Sequence, residues 1–114
     1  MNEELFFKII IDDNFLCNYI KNYTDEQKIE FMNNFKEYGI TIINKHNQKL
    51  KDIENEIKRK NKEIELLDEK IKHNNDINLY EQKLKCKNRI NILCDEEINL
   101  LKEKLIIHEK INFI

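Results

Sequence analysis

From Ile43 to Ile71 apolar residues recur at a seven-residue step (Ile43, Leu50, Ile57, Ile64, Ile71), and His46, Ile53, Lys60 and Leu67 fall three places after the first four. This alternation of threes and fours is the a/d pattern of a coiled-coil helix. A stripe two residues wide cannot be buried by the helix that carries it. The segment therefore requires a partner from the rest of this chain, a second copy or another protein.

A second long apolar pattern runs from Ile77 to about Ile111, with Asn- and Asp-rich residues 73–76 between the two. That composition predicts a tight connection. Folding the chain back at 73–76 sets Ile71 near Leu79, Ile64 near Cys86, Ile57 near Leu93 and Cys94, Leu50 near Leu100 and Leu101, and Ile43 near Ile107. Almost every seam residue then meets an apolar one. Arms of roughly 30 residues give a hairpin about 45 Å long at 1.5 Å per residue. Lys60 would face Ile90, and Glu63 would sit opposite Lys87 as an ion-pair partner. The last helix carries more apolar residues than one seam uses, so its upper half, Leu100 to Ile114, is expected to touch two neighbours.

Upstream, residues 3–23 are densely apolar, broken by Asp12 and Asp13, which can cap a second short helix beginning near Asn14. Leu5–Ile11 is rich in β-branched residues that also suit a strand, and is read as helix. Thr24-Asp25-Glu26-Gln27 is a capping box that starts a helix reaching at least Tyr38. Gly39, the only glycine, precedes Ile40, which fits a helix stop of the Schellman kind; the alternative is a helix that continues at a cost of about 1 kcal/mol. A hinge or kink near Gly39 is expected. Asn78 with Glu81, or Asp76, starts the last helix. The predicted fold is all-α: a small N-terminal helical head over 1–42, then a long antiparallel coiled-coil hairpin over 43–114 with its turn near 73–76.

With 114 residues, 40% hydrophobic and 37% charged, the chain has enough apolar surface for one small unit and too much charge for a thick interior. Ala, Val, Ser, Pro and Trp are missing while Ile, Lys and Asn dominate. Ala is the best helix former, so its absence points to an AT-rich genome and not to physics. The formal charge of -2 disfavours broad electrostatic capture of nucleic acid or an anionic membrane. No membrane span or basic secretory leader is visible, so a cytoplasmic protein is expected, in the host cytoplasm if phage- or virus-encoded. Cys17, Cys86 and Cys94 form no CxxC pair and read as free, mostly buried thiols.

Chemistry is sparsely signalled. His46 and His108 fall near the open end of the hairpin, where Glu109 or Asp12 could complete a metal site, but their spacing matches no ligand motif and a seam histidine is the simpler reading. There is no serine, no phosphate-cradling glycine pattern and no motif pairing a cysteine with a base, which argues against an enzyme, a cofactor or a metal. Lys58, Arg59, Lys60 and Lys62 come side by side with Lys83, Lys85, Lys87 and Arg89 in the hairpin, forming a basic band beside Glu63, Glu65, Asp68 and Glu69.

The favoured function is a non-enzymatic protein-binding module, such as a phage- or virus-encoded inhibitor that docks on a host nuclease or defence complex and blocks it sterically. Candidate contact residues are Lys58, Arg59, Lys62, Lys83, Lys85, Arg89, Phe113 and Ile114. The alternatives are a homo-oligomeric scaffold or assembly chaperone, such as a homodimer, and a nucleic-acid-binding accessory protein that uses the basic band. The scaffold reading is similar in length and layout to helical-hairpin chaperones such as prefoldin subunits, without a strand-rich segment between the arms.

Overall fold

The computed structural model describes residues 1–113, Phe113 by its backbone alone. The described residues form four helices and no strand: α1 (Glu3–Ile11), α2 (Asp13–Tyr19), α3 (Asp25–His73) and α4 (Ile77–Phe113). They pack as two compact units. The first contains Met1–His46 and the chain from Lys102 onward, and the second contains Asn47–Leu101.

Each helix begins where a side chain can satisfy its orphan amides. Asn2 Oδ1 accepts from the Leu5 amide at 2.8 Å, and Glu3 and Glu4 occupy the positive end of α1. Asp12 serves two helices: its amide closes the last turn of α1 on Lys8 O, and its carboxylate accepts from the Asn14 amide at 3.0 Å to open α2. Thr24 and Gln27 form the reciprocal capping box, at 3.2 Å and 2.9 Å. At α4 the cap is Asp76 and not Asn78, its carboxylate accepting from the Asn78 amide at 3.0 Å.

Leu5–Ile11 is helical despite its β-branched content because Phe6 and Ile9, three residues apart, share the one face that is driven fully into the core. Tertiary burial overrides local preference there. The first unit's core joins Phe6 and Ile9 to Phe35, Ile42, Ile43 and Ile107. Phe6 stacks on Phe35 with ring centroids 4.9 Å apart, and Phe7 meets the edge of Phe6 at 5.3 Å. Lys110 of α4 pairs with Asp13 at the start of α2.

Of the two alternatives at Gly39, a helix stop and a helix that continues, the second occurs. α3 runs through it unbroken, and Gly39 has no positive φ. The residue is required for space: a Cβ there would run into Ile111 Cδ1 and would lie 3.1 Å from Ile111 Cγ1 and 3.4 Å from Phe6 Cε2. The glycine that looks like a helix terminator is the gap into which α4 fits.

In the second unit α3 and α4 form an antiparallel hairpin whose turn is 74–76. Ile53 and Leu67 of α3 are buried, as are Cys86 and Leu93 of α4. Glu56–Arg89, Glu63–Cys86 and Asp68–Lys83 contacts across the hairpin follow the predicted register to within about one turn. No helix among the described residues is long and apolar enough to cross a membrane.

Gly39→Ala is expected to destabilise the protein by about 1 kcal/mol in urea unfolding, because the displacement of Ile111 outweighs the helix propensity gained. In an Ile111→Ala background the same change should become stabilising. Stabilisation in both backgrounds would remove the packing explanation.

Candidate functional site

The basic band lies in the hairpin unit and is partly neutralised. Lys58 pairs with Glu54 at 3.5 Å, Lys83 with Asp68 at 2.6 Å, and Arg89 holds Glu56 through Nε at 2.9 Å and a second nitrogen at 3.4 Å. Arg59, Lys62 and Lys85 are exposed and make no ion pair among the described residues. The remaining candidates, Ile114 and the Phe113 side chain, lie outside what the structure describes.

The Arg89 hydrogen bond holds the Glu56 carboxyl below the usual glutamate range, and Glu56 in turn pushes Arg89 up. The expected Glu63–Lys87 pair is absent. Glu63 instead accepts from Cys86 Sγ at 3.2 Å and Lys60 Nζ at 3.4 Å, both of which lower its pKa. The Glu63 carboxylate reaches the sulfur because Cys86 sits buried in the seam directly opposite. Burial first, and then Glu63, pushes the Cys86 thiol up. A thiol kept neutral in this way is the opposite of an activated nucleophile. Cys17 and Cys94 are exposed, contrary to the expectation of mostly buried thiols.

The histidines do not assemble a metal site. His46 is 7% exposed with Nε2 2.9 Å from Glu103 Oε1, and its buried Nδ1 has no hydrogen-bond partner among the described residues. His108 is exposed, and no group of three or more His, Cys, Asp or Glu among the described residues is placed to hold an ion. The grooves are shallow. One of about 430 Å³ lies along the hairpin between Lys49, Asp52 and Ile53 on α3 and Glu96, Asn99 and Leu100 on α4. Another, lined by Glu63, Leu66, Leu67, Lys70, Gln82, Lys85 and Cys86, lies beside the basic band.

The largest unsatisfied feature of this unit is apolar. On α4, Ile77 is 71% exposed and Leu84 57%, and Tyr80, Ile98 and Leu101 are each about half exposed. The expectation that the upper half of the last helix would be covered by two neighbours fails at Leu101, Leu105 and Ile106, which stay exposed. Sequence reasoning did not name Ile77, Tyr80 and Leu84 as a surface. Their signal was available: Ile77, Tyr80 and Leu84 step by three and four, as do Cys94, Ile98 and Leu101, in a register two residues away from the Leu79–Ile107 stripe that α3 covers. Comparison with family models, curated proteins and solved structures found no match, so geometry alone carries the functional reading.

Two outcomes are expected. Glu56 and Glu63 have depressed pKa values when folded, so their stabilisation is complete above the ordinary glutamate value of about 4.3 and is lost as pH falls through the lower folded values. The urea midpoint should therefore drop below about pH 4.3, and drop less steeply in a Glu56→Gln/Glu63→Gln variant. His46→Leu should raise stability by about 1 kcal/mol, since it removes the orphaned Nδ1 and leaves Glu103 partly in water.

Proposed function

We propose that this chain is a non-enzymatic protein-binding module that works through the outer face of α4. The observation that carries this reading is the row Ile77, Tyr80, Leu84, Ile98 and Leu101, left in water on the side of α4 turned away from its hairpin seam. Exposed apolar residues gathered on one helix face, here Ile77, Tyr80 and Leu84 toward one end and Ile98 and Leu101 toward the other, mark interaction surfaces. A helix face spaced by threes and fours accepts another helix or a groove shaped for one.

Partial neutralisation of the basic band favours a protein partner over nucleic acid. Lys58, Lys60, Lys83 and Arg89 are already engaged by Glu54, Glu63, Asp68 and Glu56, which leaves Arg59, Lys62, Lys85 and Lys87 to meet phosphates. Those four cations can steer an acidic partner toward the hairpin. A steric inhibitor of a host protein is one form such a module takes.

Capture with tagged wild type and with a Leu84→Glu/Ile98→Glu variant tests the assignment. Both positions face water in the folded chain, so the variant should keep the wild-type helical circular dichroism while losing the proteins that wild type retains. Retention of those proteins by the variant, together with their loss from an Arg59→Gln/Lys62→Gln/Lys85→Gln variant, would transfer the function to the basic band.

A further inference from the structure

The outer row of α4 has a symmetry that identifies what covers it. Read at steps of three and four, its positions are Ile77, Tyr80, Leu84, Lys87, Asn91, Cys94, Ile98 and Leu101. Three apolar residues, two polar ones and three more apolar residues (counting the cysteine as apolar) make a pattern that is the same from either end. All eight lie in the hairpin unit. Each apolar member is exposed or about half exposed, and Lys87 and Asn91 are exposed between them.

We infer that this face is a self-complementary seam that binds a second copy of the same helix antiparallel, resting on the reading of α4 as the binding surface. With the two-fold axis at Arg89, Ile77 meets Leu101 of the second copy, Tyr80 meets Ile98 and Leu84 meets Cys94, and each of these layers occurs twice by symmetry. The two central layers pair Lys87 with Asn91 of the second copy, where the ammonium can donate to the amide oxygen and the lysine stem lies along apolar neighbours. No apolar position meets a charge.

A parallel pairing of the same face would stack each residue on its own copy and set Lys87 against Lys87 inside the seam. Like charges in a desolvated contact disfavour that arrangement. An unrelated helix could fit the apolar ends, but it would have no reason to mirror the central polar pair. A polar layer in an otherwise apolar seam fixes register and partner orientation. A two-fold contact of one patch with itself is the commonest way that soluble proteins form dimers.

Sedimentation equilibrium of the full chain tests the inference. Wild type should be a dimer at micromolar concentration, and Leu84→Glu/Ile98→Glu should raise its dissociation constant by about a hundredfold or more while the variant stays helical. Orientation is read by oxidation in a Cys17→Ser background. Leu84→Cys should then yield a disulfide-linked dimer through Cys94 of the second copy, whereas the background alone should not crosslink. Crosslinking of the background through Cys94 alone would show a parallel pairing and overturn the inference. So would a dimer that survives Leu84→Glu/Ile98→Glu. A monomeric wild type whose captured proteins are lost in that variant would overturn the second copy as occupant and leave the protein-binding role standing. A monomeric wild type whose captures are unchanged by the variant would remove both.

Discussion

A helix with a seven-residue apolar repeat exposes its stripe to water unless something lies along it, and with 37% of residues charged this chain has little else to bury. The hairpin answers that constraint locally. α4 brings Cys86 and Leu93 against the side of α3 that carries Ile53 and Leu67. The contact has almost no interior beyond the seam itself, so polar groups at its margin decide the register. Glu56 with Arg89 and Asp68 with Lys83 each tie α3 to α4 across that contact.

In the first unit the same two helices meet a different requirement, because α1 and α2 must also be packed. Aromatic residues fill the space: Phe6 lies between Phe7, Phe35 and Tyr38, and Tyr19 and Tyr23 lie against Phe31. Flat rings bury much area without needing a thick core. Gly39 admits Ile111 to this cluster, so a residue unfavourable for the helix that contains it is favourable for the unit. His46 is the opposite case. It occupies a seam position, yet its ring leaves one nitrogen without a partner among the described residues, which points to specificity of pairing and not to stability as its contribution.

Much of the candidate site could be read only in part from the sequence. The basic residues 58–62 and 83–89 were visible as runs, but a run does not say which lysine faces a carboxylate. Lys83 reaches Asp68 and Arg89 reaches Glu56 because of where α4 crosses α3, and Glu63 takes Cys86 in place of Lys87 because the buried sulfur is nearer than an ammonium that points to water. The outer row of α4 was hidden for a different reason. α4 carries apolar residues on two stripes that lie on nearly opposite sides of the helix, and the period alone does not say which one turns inward.

Local chemistry determined what the sequence could settle by itself. Capping at Thr24 and Asp12, the seven-residue step, the Asn-rich turn and the matching of Ile43–Ile71 to Leu79–Ile107 act over a few residues or through one periodic match, so the all-α hairpin follows from them. Tertiary packing decided two further things: that α3 passes through Gly39, and that Ile77, Tyr80, Leu84, Ile98 and Leu101 are among the residues left in water. Each depends on the rotation of one helix about its axis against another. That rotation is fixed by side chains meeting across dozens of residues of chain, as Glu56 meets Arg89, and no short window of sequence contains both partners.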